Sequence, residues 1–206
     1  MSITHISLDL ETWGKRAGCD IRSIGAVCFN PHTGHVSPAG SPGAFYVAVE
    51  NPERPRQGTL GQWEPYKYPL WRDPSTVQWW SEQSPEAQGA FENPVDLLGG
   101  LQMFSEWLRT MCDNPRDLRV WSHGAAFDAP ILEAAYHAVG LPVPWFYRAP
   151  RDTRTAFDMA GIEDHSAHLT ACSTGAEVYH HALDDAIVQA RAICMAYADS
   201  GASRRA

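Results

Sequence analysis

The stretch ITHISLDLETWGKRAGCDIRSIGAVCF, residues 3–29, decides the reading of this chain. From Ile3 to Asp9 apolar side chains alternate loosely, at Ile6 and Leu8, as in a strand with one face on a core. The chain turns through Trp13–Gly18 and returns in a second β-rich run, Ile21 to Phe29. Asn30-Pro31 and the HTGH segment close that run with turn chemistry. Ala44 to Val49 (AFYVAV) supplies a third strand, so the chain opens as an antiparallel meander.

Beyond it the period changes. Glu50 to Pro74 is rich in Pro, Gly and aromatic residues, too long for an ordinary connection, and reads as a functional flap. Asp73-Pro74 followed by Ser75-Thr76-Val77 starts a helix that leads into Trp79 and Trp80, which cannot face the same way. One belongs to the core and the other to a flap or subunit contact. Ser84 is the N-cap of another helix, with Pro85 at its first position. Val95 to Met111 carries Leu97, Leu98, Leu101, Phe104, Leu108 and Met111 at helical spacing. Leu118 to Trp121 is a short strand. Phe127 to Val139 is a helix stopped by Gly140. Trp145 to Asp152 is weakly defined, and Asp152-Thr153 begins a further helix. Leu183 to Tyr197 repeats apolar residues along one helical stripe. These elements imply an α/β fold, a mixed sheet with helices on its faces. Neither an internal repeat nor a linker divides the chain, so residues 1–198 are expected to form one domain and 199–206 a flexible C-terminal tail.

The totals fit that picture. A chain of 206 residues is long enough for one substantial core. Net charge is −8, and Lys15 and Lys67 are the only lysines. That balance argues against a protein that coats nucleic acid through a broad basic face. It leaves room for an enzyme that holds phosphates through cations and a few arginines. Cys19, Cys28, Cys112, Cys172 and Cys194 show no C-x-x-C spacing and read as free thiols of a reducing compartment. With no leader-like N-terminus and no apolar run of membrane-spanning length, the chain is expected to be cytoplasmic, without membrane contact.

Asp9 and Glu11 sit two apart on a strand, so both side chains leave the same face. Carboxylates held together repel, and such a pair calls for exposure, a shared proton or a cation. Asp128, in WSHGAAFDAPIL, follows a strand and opens a helix. Asp185, in YHHALDDAIVQA, lies at the start of the last long helix, with His180 five residues ahead of it. Each has an ordinary alternative: a solvated strand end for the pair, a favourable helix-dipole charge for Asp128, a capping or backbone-satisfying role for His180. His181 is an equally available imidazole by composition.

Taken together, the sequence resembles the DEDD superfamily of 3′→5′ exonucleases, in its histidine-bearing (DEDDh) branch. Asp9-Leu10-Glu11 matches the D-x-E motif, Asp128 the second motif, and His180 with Asp185 the H-x-x-x-x-D motif, which excludes His181. DLETWGKRAGCDIRSIGAVCF, WWSEQSPEAQGAF and RDTRTAF are similar to the group that contains phage exonuclease A and the mycobacterial-type 3′→5′ exoribonuclease. The resemblance implies a ribonuclease H-like fold and an active site made of Asp9, Glu11, Asp128, His180 and Asp185. Oxygen ligands on Asp and Glu suit Mg²⁺ or Mn²⁺, and two ions about 4 Å apart serve phosphodiester hydrolysis in general. By the family pattern, Asp9 would bridge both ions and Glu11 and Asp185 would complete one site. Asp128 would steady the second ion, and His180 would be the general base. The expected product is a nucleoside 5′-monophosphate, cut from the 3′ end of RNA or single-stranded DNA.

Around that site Leu10, Trp13 and Phe127 are candidates to pack against a terminal base or sugar, with core packing as the alternative. Arg148, Arg151 and Arg154 form the densest basic patch, for backbone phosphates or for surface salt partners. Asp184 lies one residue round the helix from Asp185 and reads as solvent-facing or capping. Asp20, Asp152 and Asp158 read as structural or surface charges. Related enzymes pair as dimers, so a homodimer is expected from the resemblance alone. Two rival readings stay open: a phosphohydrolase of mononucleotides or very short oligonucleotides, which suits the acidic surface, and a noncatalytic nucleic-acid binding protein on the same fold. Activity that falls with substrate length marks the first, and metal-independent binding without turnover marks the second.

Overall fold

The computed structural model describes residues 3–50 and 69–203. The first strand, β1 (Thr4–Thr12), pairs antiparallel with β2 (Ile21–Asn30), which pairs antiparallel with both β3 (His35–Val36) and β4 (Ala44–Glu50). This is the expected meander, with β1 running past Asp9 to include Glu11. The expected flap falls largely on residues 51–68, outside the described residues.

The chain resumes in α1 (Pro74–Ser81), capped by the Asp73 side chain, and α2 (Pro85–Gly89), capped by Ser84. Then come β5 (Val95–Asp96) and α3 (Leu97–Met111). Val95 and Asp96 were expected to be helical. Instead they pair with Val49 and Glu50, and the Asp96 carboxylate accepts the Gly99 N–H, so the helix starts at Leu97, two residues later than expected. Next are β6 (Leu118–Ser122), α4 (Asp128–Ala138), β7 (Pro150–Asp152), α5 (Thr153–Met159), α6 (His165–Cys172) and α7 (Ala182–Ser203). The last helix continues past Tyr197 to Ser203, so the first residues of the expected tail are helical.

The sheet runs β5-β4-β2-β1-β6-β7, with β3 beside β2; β6 is parallel to β1 and to β7. It is mixed, antiparallel on one side of β1 and parallel on the other, as expected for an α/β chain of this pattern.

β1 is central, so both of its faces are covered. Ile6, Leu8 and Leu10 pack with Leu101 and Phe104 of α3 and Ile131, Leu132 and Tyr136 of α4. On the opposite face Val27, Phe29 and Trp121 meet Leu183, Ala186, Ile187, Ala190 and Ile193 of α7, with Phe157 of α5 and Cys172 of α6. The α7 residues are the ones whose helical spacing marks a single buried stripe. Because strand side chains alternate, Asp9 and Glu11 are out of phase with Leu8 and Leu10, and therefore belong to the α7 face.

Gly25 makes that arrangement possible. It is the register partner of Asp9, and a Cβ at this position would lie 2.1 Å from the Ala182 carbonyl carbon and 2.2 Å from the Leu183 nitrogen. With no side chain there, the first turn of α7 rests directly on β2 beside Asp9. Among the described residues no helix is long and apolar enough to cross a membrane.

Candidate active site

The β1–β6 ladder stops at Ser7 and Trp121, after which β6 ends and the chain leaves for α4. Beyond that point the Leu10 N–H has no strand neighbour on this side, and it donates instead to Asp128 Oδ1 at 3.1 Å. Asp128, the first residue of α4 and 3% exposed, is thereby fixed against the backbone between Asp9 and Glu11. Ligand sites form at such openings, where neighbouring strands part at their carboxyl ends. From the other side α7 contributes Asp185 in its first turn and Gln189 one turn later, and Gln189 Nε2 donates to Asp9 Oδ1 at 2.8 Å.

His180 precedes α7 in the left-handed region, φ 65°, which non-glycine residues seldom occupy. Its ring stands edge-on to Tyr179 at 4.3 Å and to Trp79 at 4.9 Å between centroids. The ligand atoms of Glu11, His180 and Asp185 lie within 4.8 Å of one another, a spacing one metal ion can span. His181 points to different partners: it stacks on Tyr46 at 4.2 Å and lies 3.8 Å from Asp184. Of the two adjacent histidines, His180 is the one beside Glu11 and Asp185.

The carboxylates repel. Burial, and then the charges of Asp128, Glu11 and Asp185, push Asp9 well above the usual carboxylate range, against the opposing hydrogen bond from Gln189. Burial and Asp185 raise Glu11 to about 8, partly offset by Arg22. Burial raises Asp128 and Asp185 each to about 7. Four acids that repel one another this strongly match the donor set and the charge demand of hard divalent cations. Burial also lowers the His180 pKa, which leaves a neutral imidazole able to accept a proton.

Two lobes of a cleft meet at Asp9, His180 and Asp185. One, about 570 Å³, is lined by Leu10, Glu11, Lys15, Ser75, Thr76, Trp79 and Phe127. The other, about 450 Å³, is lined by His123, Ser166, Ser173, Glu177, Tyr179 and Gln189. Leu10 and Phe127 are therefore at the site. Trp13 lines neither lobe; its ring carries the guanidinium of Arg22 at 4.3 Å and that of Arg72 at 4.8 Å. Trp80, 2% exposed, donates its indole N–H to the Thr12 carbonyl at 2.9 Å, whereas Trp79 is 41% exposed and faces His180.

The arginine patch divides. Arg154 Nε donates to His123 Nε2 at 3.4 Å, and its charge offsets part of the rise that burial imposes on Asp128. Arg148 bonds the Tyr147 hydroxyl, and Arg151 Nη1 bonds the carbonyls of Arg148 and Pro150; none of the three arginines lines a lobe. Asp184 caps, accepting the Val178 N–H. Asp20 pairs with Arg72, Asp152 caps α5, and Asp158 meets His165, so all three act structurally.

Sequence reading passed over Lys15, Thr76, His123 and Gln189. For Gln189 a signal existed: it lies four residues after Asp185, hence on the same side of the helix. The other three depend on how distant elements meet, which spacing does not carry.

This fold, with its acids gathered at one strand end beside a histidine, is that of the DEDDh exonucleases. The chain belongs to the 3′-5′ exoribonuclease Rv2179c-like domain family, which matches residues 4–196. It is also similar to the exodeoxyribonuclease of Enterobacteria phage T4, 33% identical over 61 residues, 28% of this chain and 27% of the phage protein. Among solved structures, E. coli exonuclease I in complex with a dT13 oligonucleotide superposes with a TM-score of 0.61 at 16% identity, over 100% of this chain and 42% of that one. The nuclease domain of 3′hExo, a DEDDh family member bound to rAMP, gives 0.59 at 13% identity over 94% and 91%. The chain thus spans about a quarter of the phage protein and less than half of exonuclease I.

Proposed function

We propose that this chain is a divalent-metal-dependent exonuclease that removes nucleoside 5′-monophosphates from the 3′ ends of RNA or single-stranded DNA. One observation carries the reading: Glu11, His180 and Asp185 bring ligand atoms within 4.8 Å of one another beside Asp9, with Asp128 bonded to the Leu10 N–H between the two strand acids, Glu11 and Asp128 buried and Asp9 and Asp185 half-buried. Asp9, Glu11, Asp128 and Asp185 would hold Mg²⁺ or Mn²⁺, two ions in the full site. Cations held there supply charge relief at the attacking and leaving oxygens.

The chain's own groups do the rest. His180 accepts a proton from the attacking water as its oxygen bonds to phosphorus. The bond from phosphorus to the 3′ oxygen of the preceding nucleotide breaks, and that oxygen leaves with the bonding pair and takes a proton from solvent water. Leu10 and Phe127, with Trp79, pack on the terminal nucleotide without demanding a particular base. Lys15 and Arg154 take backbone phosphates near the site, and Arg148 and Arg151 serve only nucleotides further along the strand. Exonuclease I bound to dT13 and 3′hExo bound to rAMP support a single-stranded substrate and a mononucleotide product.

Matched RNA and DNA oligonucleotides incubated with and without Mg²⁺ or Mn²⁺ test this, with the Asp9→Ala variant as control. Metal-dependent release of 5′-monophosphates by the wild type alone is expected. Equal turnover by Asp9→Ala, or in chelator, would overturn the reading.

A further inference from the structure

We infer that Gln189 is a positioning residue for the Asp9 carboxylate, holding it in the orientation in which it receives a divalent cation. The inference rests on the metal-dependent reading above. Gln189 lies on the buried side of α7, between Ala186 and Ala190, and is 6% exposed. Its Nε2 donates to Asp9 Oδ1 at 2.8 Å, across 180 residues of chain, and its Oε1 finds no partner among the described residues. The opposite amide orientation would set Oε1 against the acid oxygen, so the assignment follows from the chemistry of the contact.

For packing alone a glutamine here is a poor choice. A leucine or methionine would fill similar space without leaving a buried acceptor unsatisfied. The contact does what packing does not: it places a neutral N–H donor on Asp9 Oδ1, where the other groups around that acid are the like charges of Asp128, Glu11 and Asp185. A lysine donor would bring a positive charge and compete with the cation, whereas the carboxamide orients the acid without neutralising it. Partners of this kind behind metal-holding carboxylates typically change metal affinity or activity by about 10–100-fold when removed.

The variants Gln189→Leu and Gln189→Met, in the full chain, test it through Mn²⁺ titration by calorimetry, steady-state kinetics on an oligonucleotide, and thermal unfolding in chelator. The expected result has three parts: Mn²⁺ affinity lower by about tenfold or more, kcat reduced with KM within about threefold, and an unfolding midpoint unchanged or raised. Wild-type Mn²⁺ affinity and kcat in both variants would overturn the role of Gln189 alone. So would midpoints several degrees lower in both, because that marks a packing residue. A wild-type protein that neither binds Mn²⁺ nor cleaves would overturn the functional reading, and the role of Gln189 with it.

Discussion

Above pH 6.5 the acids at the end of β1 should make the metal-free protein less stable as pH rises. Their folded pKa values lie above those of the unfolded chain: from 4.5 to about 8 for Glu11, from 3.8 to about 7 for Asp128 and Asp185, and well above 3.8 for Asp9. A raised folded pKa means that the native state binds more protons, so stability is full below the unfolded pKa and is lost as pH climbs through the folded one. Three histidines run the other way. His5 and His123 are lowered from 6.5 to about 4, chiefly by burial, and His180 is lowered too; they favour folding as pH rises, but only up to about 6.5. The clean window is therefore pH 6.5 to 8. There the folded chain holds roughly two to three extra protons, and each is worth about 1.4 kcal/mol per pH unit. The loss is on the order of 4–6 kcal/mol, or about 10–20 °C in the unfolding midpoint for a chain of this size. Differential scanning calorimetry in chelator should show this fall, and millimolar Mg²⁺ or Mn²⁺ should remove most of it by replacing the protons. A midpoint that is flat or rising over the window in chelator, or one indifferent to metal, would refute the reasoning.

Replacing His180 with Ala should lower kcat by roughly 10²–10⁴-fold, whereas His181→Ala, which removes a ring stacked on Tyr46, should cost far less activity; a kinetic comparison of the two checks the order. Gly25→Ala places a methyl in the backbone of α7 at 2.1 Å, and should cost several kcal/mol or abolish folding, as overpacking between immobile backbones does; denaturant unfolding measures it. Arg154→Ala should raise KM for a long oligonucleotide and weaken its salt dependence, while Arg148→Ala, which touches only nucleotides further along the strand, should change both less.

The parts of the fold legible in the sequence are those with a repeating period. β1, β2 and β4 show alternation, α3 and α7 show helical stripes, and Ser84-Pro85 marks a helix start that the structure keeps. β3 and β5 have two residues each and β7 three, too few for any period to register. α6 (HSAHLTAC) carries too few apolar side chains for a stripe, and only Cys172 in it is buried. The acids and His180 were legible because motif spacing, strand alternation and helix phase agree on them. Their surroundings were not. Trp79 reaches His180, and Arg22 stacks on Trp80 and Phe91, only because α1 and the segment after α2 fold back over the end of β1. No local pattern encodes contacts over such separations. The arginines show the same limit: one patch in sequence, they are split by β7 and α5 so that Arg154 alone turns towards the acids.

The most direct test of the central claim is a time course with 5′-labelled single-stranded RNA, with and without Mn²⁺, using the wild type and Asp9→Ala. The account predicts labelled fragments that shorten one nucleotide at a time from the 3′ end, only with metal and only in the wild type. Immediate release of the labelled 5′ nucleotide, internal cuts, or degradation that persists in chelator would contradict it.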